Sequence, residues 1–173
     1  MKIIANIIGV VAVALFLISY QQKKRKNIIL CKFFSGTFYV LQYILLGAFE
    51  GAILDTIGTA ATFLASKKNN GFVKKRLRII IAAVNIAFVV AGILSYRNFV
   101  SVIAVLAAMF EVNALWFTRE KTIRLISLVS SPLWLTYNIL AGAYGSALGS
   151  ALAAVSLIIA IYRYDIKKQG VGS

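Results

Sequence analysis

LISLVSSPLWLTYNILAGAYGSALGSALAAVSLIIAIY, residues 125–162, carries no charged side chain across 38 positions. At ~1.5 Å per residue one helix of that length would reach about 57 Å, nearly twice the ~30 Å hydrocarbon core of a bilayer. The stretch must fold back, and Gly142-Ala143-Tyr144-Gly145 is the breaker cluster near its middle. Phe33–Ser66 is overlong in the same way, with its break at Gly47-Ala48-Phe49-Glu50-Gly51. Outward from these two hairpins, Ile3–Gln22, Ile79–Tyr96 and Asn98–Thr118 each fit one crossing, the last interrupted only by Glu111. The pattern predicts an all-α polytopic membrane protein with seven transmembrane helices. A cleaved signal peptide at Ile3–Gln22, with Lys2 as its basic lead, is disfavoured by Lys23-Lys24-Arg25-Lys26, which resists export.

Composition agrees with that reading. Of 173 residues, 61% are hydrophobic and 14% charged, against roughly 45–50% and about 25% in soluble domains. The chain has no histidine, which removes Ser/His and Cys/His catalysis and most zinc sites. Its single cysteine, Cys31, cannot form an internal disulfide. With only one aspartate inside a span and no Walker-type phosphate loop, neither aspartyl proteolysis nor nucleotide hydrolysis is expected. No enzymatic activity and no cofactor or metal is expected.

The net charge of +14 is an address rather than a nucleic-acid signal. With seven spans the loops alternate sides, and 17 of the 19 cations, counting Lys32 and Arg124 among the loop residues, fall on one side. Only Lys2 and Arg97 fall on the other. By the positive-inside rule the N-terminus lies outside and the C-terminus in the cytoplasm of an inner-membrane protein. The basic loops are expected to meet anionic lipid headgroups. No nucleic-acid partner is expected, and the sequence leaves an oligomer open.

A shift of 95 positions lays Ile44-Leu45-Leu46-Gly47-Ala48-Phe49 over Ile139-Leu140-Ala141-Gly142-Ala143-Tyr144. The same shift pairs Ser35 with Ser130, Ala52 with Ala147 and Lys26 with Lys121. Two parallel three-helix repeats follow, residues 3–66 and 98–164, joined by an inverting linker helix at 77–96 and followed by a tail at 165–173. This is the parallel-repeat plan of some transporters.

The three-plus-one-plus-three order resembles the SWEET and SemiSWEET sugar transporters and the wider PQ-loop, MtN3-like superfamily. Ser131-Pro132-Leu133-Trp134-Leu135-Thr136-Tyr137-Asn138, followed by Gly142-Ala143-Tyr144-Gly145, resembles more specifically the YgjV-type bacterial inner-membrane family. The first repeat's Leu46-Gly47-Ala48-Phe49-Glu50-Gly51-Ala52 fits the same family. The resemblance implies a proline and a tryptophan on the second helix of a repeat, matched by Pro132 and Trp134. It also implies a gating hinge at Pro132 and a substrate-contacting asparagine on the third helix, where Asp55 and Ser150 stand instead of asparagine. Of four prolines expected on that pattern only Pro132 is present, and Thr37 occupies its counterpart.

Polar groups within hydrocarbon are expensive and turn toward the bundle interior. Trp134 lies ten residues beyond Arg124, about 15 Å deep at ~1.5 Å per residue. Tyr137 and Asn138 follow on the same helix face. The first repeat supplies Tyr39, Gln42 and Tyr43. Two such faces would line a small pocket where aromatic rings stack on a polar solute and amides select it. The other reading of the same faces is helix packing. Asp55 is a candidate proton or cation site, or a structural hydrogen-bonding group. Glu111 is expected to pair with a cation such as Lys32, and Asn85 to serve packing. The expected function is a SWEET-like carrier for a small polar solute, working by alternating access. The alternative is a non-transporting membrane scaffold or partner-binding protein of the same fold.

Overall fold

Charge blocks and glycine breaks divide the chain into helices, and the computed structural model shows where each one starts and stops. It describes residues 2–47, 49–94, 96, 99–140 and 144–167. Ala48, Arg97, Gly142, Ala143, Lys168 and the rest of the tail, all used in the sequence reading, lie outside these residues.

The helices are α1 (Lys2–Tyr20), α2 (Arg25–Leu46), α3 (Phe49–Ser66), the short α4 (Gly71–Lys75), α5 (Leu77–Leu94), α6 (Phe99–Ala114), α7 (Glu120–Leu140) and α8 (Tyr144–Ile161). A π-helical turn, Tyr162–Ile166, extends α8. All regular structure among the described residues is helical. Helix α2 stops where expected. Gly47 takes the left-handed conformation (φ 70°) that a β-carbon would oppose, and its N–H returns to the Ile44 carbonyl. Asn70 starts α4 by accepting a hydrogen bond from the Phe72 N–H.

Among the described residues five helical stretches are long and apolar enough to cross a membrane: Ile3–Tyr20, Arg25–Leu46, Leu77–Leu94, Glu120–Leu140 and Ala147–Ile166. Gly51–Ser66 and Phe99–Ala114 are apolar but shorter. Large side chains such as Ile3, Ile79, Leu94, Phe99 and Leu148 point outward, as a lipid-immersed surface requires and a soluble one does not tolerate. The span expected to run to Thr118 ends instead at Ala114. The carbonyls of Leu115 and Phe117 are held by Arg25, so the chain leaves the helix early without orphaned acceptors.

Helix α2 packs against both α1 and α3, and α7 against both α6 and α8. Helix α1 also meets α8, while α5 lies against α3 and α6. Helix α2 begins 95 residues before α7, and α3 begins 95 before α8. Small residues set the close approaches. A β-carbon at Gly36 would collide with the Thr59 hydroxyl, and one at Gly92 with a Val105 methyl. Asn85 of α5 and Asn113 of α6 exchange amide hydrogen bonds of 3.2 and 2.7 Å, a packing role for Asn85.

Two cations depart from the sequence reading. Lys32 and Arg124, counted there among the loops, sit inside α2 and α7 and are buried. Each carries a single charge into the bundle because an acid and hydrogen-bond acceptors await it there, so neither is available to lipid headgroups.

Candidate functional site

A buried charged cluster lies where α1, α2, α6 and α7 converge. Phe16 and Tyr20 share a face of α1, and Ser127 and Ser130 share one of α7, because residues three or four apart on a helix are neighbours. The Lys32 ammonium pairs with Glu111 Oε1, their side chains only 4% and 14% exposed. The Tyr20 hydroxyl donates to the same oxygen at 3.0 Å, and Lys32 donates to that hydroxyl at 3.2 Å. Ser130 donates to Glu111 Oε2, and Ser127 reaches Oε1 at 3.5 Å. The ammonium also lies over the rings of Phe16 and Tyr20, 4.5 and 4.3 Å from their centroids.

Both carboxylate oxygens and the ammonium are therefore met by protein groups, the condition under which a buried ion pair persists. Chemically the cluster holds one titratable acid, one titratable base and three hydroxyls in contact. The expected pairing of Glu111 with Lys32 is present. Tyr20 and the α7 serines were not anticipated. Their signal was available in the run of small hydroxyls at 127, 130 and 131 on an otherwise apolar helix.

The residues expected to line a solute pocket lie further along the same helices. Trp134 meets Tyr137 edge to face, with ring centroids 5.9 Å apart. Trp134 also packs against an apolar cluster of Ala61, Phe88, Ala108 and Val112. Tyr39 and Tyr43 stack at 6.3 Å. Asp55 lies within electrostatic reach of both tyrosines, and Tyr137 within reach of Tyr43. Asn138 is buried and donates to the Ser150 hydroxyl at 2.9 Å. Gln42 turns toward α1, its amide filling the space that a β-carbon at Gly9 would need.

Tyr39 and Tyr43 thus stack with Asp55 in electrostatic reach of both and Tyr137 in reach of Tyr43, while Asn138 donates to Ser150. Pro132 is exposed within α7, which continues through it. The Ser131 hydroxyl donates to the Ser127 carbonyl one turn earlier at 3.1 Å. Neither of two surface cavities involves these residues. One, of about 350 Å³, is apolar and lies between α2 and α3. The other, of about 360 Å³, is charged and lies at the basic end.

At that end two arginines cross between two triples of helices, α1–α3 packed around α2 and α6–α8 packed around α7. Arg25 of α2 donates to the carbonyls of Leu115 at 2.6 Å and Phe117 at 2.7 Å, beyond α6, and to Ala65 of α3 at 3.0 Å. Arg124 of α7 donates to the carbonyls of Gln22 at 2.7 Å and Tyr20 at 3.4 Å, at the end of α1, and to Asp165 at 2.7 Å. The acceptors 20 and 22 lie 95 residues before 115 and 117. A cation at a helix C-terminus meets both orphan carbonyls and the negative end of the helix dipole. Lys68 adds a hydrogen bond to the Trp116 carbonyl.

A family model for a bacterial inner membrane protein, Imp-YgjV, matches residues 3–168. No curated protein and no solved structure matches the chain.

Proposed function

The chain belongs to the Imp-YgjV family of bacterial inner membrane proteins, and from that premise we propose that it is a SWEET-like carrier for a small polar solute. In this reading the seven apolar helices all cross the bilayer, as two triples joined by α5. The basic end faces the cytoplasm, with the N-terminus outside.

The observation that carries the proposal is the buried Lys32–Glu111 pair with Tyr20, Ser127 and Ser130, contributed by helices of both triples. Ionisable groups inside a membrane bundle are costly, and the seam between repeats is where alternating access works. A pair at this seam can be exchanged for solute or proton contacts as the triples rock. The arginine cross-links close the basic end in this state. Tyr39, Tyr43, Tyr137 and Asp55 then form the aromatic and acidic lining toward the other end.

The test begins with a thermal-shift panel of sugars, amino acids and small organic acids on purified protein. The strongest stabiliser is then radiolabelled and offered to proteoliposomes. Uptake above protein-free liposomes, lost in Glu111→Gln that still folds, supports the carrier. Absence of uptake for every panel member overturns it in favour of the scaffold. The packing of Trp134 against Phe88, Ala108 and Val112 is the observation that favours that second reading.

A further inference from the structure

The cavity at the basic end is walled by the α1–α2 turn, the start of α7 and the turn after α8. Its volume, about 360 Å³, is within the range of small-ligand sites, roughly 300–1,000 Å³. Four cations line it: Lys23, Arg119, Lys121 and Arg124. Arg124 is committed to the Tyr20 and Gln22 carbonyls and to Asp165. The other three are exposed and make no ion pair among the described residues. Of the two acids in the wall, Glu120 accepts the Arg25 backbone N–H at 3.0 Å.

Asp165 differs from Glu120. Its side chain is only 8% exposed, and Oδ1 takes the Arg124 guanidinium. Its Oδ2 is buried and accepts no hydrogen bond from any described residue. A buried carboxylate oxygen without a donor is costly, so the site calls for a donor from a ligand. The Tyr164 ring stands beside it and already faces Lys23 and Arg124.

An occupant must therefore present an anionic group to Lys23, Arg119 and Lys121 and a donor to Asp165 Oδ2. A phosphate joined to an ammonium by a two-carbon link meets both demands. The ammonium would complete the carboxylate and lie beside the Tyr164 ring. The flanking Tyr162, Ile166 and Phe117 are exposed apolar residues, the neighbourhood of acyl chains rather than water. We propose that this cavity binds the phosphoethanolamine headgroup of a membrane phospholipid. The inference needs only that the helices lie in a bilayer and does not depend on transport.

Full-length protein in detergent is titrated with phosphatidylethanolamine, phosphatidylglycerol and soluble phosphoethanolamine, and read by native mass spectrometry and thermal shift. The expected result is preferential retention of phosphatidylethanolamine. Asp165→Asn keeps an acceptor for Arg124 but turns an amide donor toward the ammonium. It is expected to weaken phosphatidylethanolamine about tenfold and phosphatidylglycerol less than twofold. The exposed pair Arg119→Gln with Lys121→Gln, which leaves the Arg124–Asp165 contact intact, is expected to weaken both lipids. Equal retention of the two lipids, or no change in the exposed double variant, overturns the proposal. Stabilisation by soluble phosphoethanolamine at the same concentration assigns the cavity to a free solute and overturns the lipid source.

Discussion

At the basic end, each triple of helices closes on the other. Arg25 reaches across to Leu115 and Phe117, Arg124 reaches back to Tyr20 and Gln22, and Lys32 meets Glu111. Toward the opposite end the side-chain hydrogen bond seen among the described residues stays within a triple, although Tyr137 reaches Tyr43 electrostatically across the two. Asn138 bonds Ser150, and the positions 95 residues earlier hold Tyr43 within electrostatic reach of Asp55. There the triples meet by apolar packing, Trp134 against Ala61, Phe88 and Val112. Charged hydrogen bonds are directional and strong in a low-dielectric setting, whereas apolar contacts slide at small cost. The bundle is therefore latched at one end and held only by fit at the other.

Glu111→Ala is the harshest way to break this contrast. It leaves Lys32 buried without its partner, a loss of roughly 3–5 kcal/mol, measurable by unfolding in micelles. The double change Lys32→Met with Glu111→Leu is expected to recover most of that, since removing both charges spares the desolvation cost. A single variant as stable as wild type would dissolve the latch.

Trp134→Ala tests the opposite end. The side chain is half-buried, so a loss of about 2 kcal/mol is expected, below the usual range for a fully buried tryptophan. A cost equal to that of Glu111→Ala would show that the apolar contact, too, is a principal lock. The mildest probe is Asn138→Ala, which removes one hydrogen bond inside a triple. Interhelical hydrogen bonds in membranes average about 0.6 kcal/mol, and a comparable loss is expected. A cost above about 2 kcal/mol would mean that Asn138 serves more than Ser150.

Much of the fold was legible. The break at Gly47, the helix starts at Leu77 and Tyr144 and the 95-residue offset follow from local features. These features are the length of each apolar run, the placement of charge blocks, and glycine where a helix must turn. The end of α6 was not legible, because Leu115, Trp116 and Phe117 are as apolar as the helix before them. What ends it is a guanidinium donated from 90 residues away.

The site was legible in part. Glu111 and Lys32 stood out as charges near or within apolar spans, and their pairing follows from the expense of leaving either alone. Tyr20, Ser127 and Ser130 did not, because hydroxyl-bearing residues also satisfy themselves on their own helix, as Ser19 does with the Phe16 carbonyl. Trp134, Tyr137 and Asn138 share a face as expected, yet Asn138 turns to Ser150 within its own triple. A rotation of a helix by a fraction of a turn decides such choices, and no periodicity in a single sequence reports it.

By itself, then, the sequence determined that this chain folds as apolar helices with one strongly basic side, since hydropathy, charge and breaker residues act along the chain. Only the tertiary structure decided which helices exchange hydrogen bonds, that Lys32 and Arg124 leave the basic loops for the interior, and that one buried oxygen of Asp165 meets no donor among the described residues. Those outcomes depend on distances of about 3 Å between residues as much as 104 positions apart, set when the helices pack.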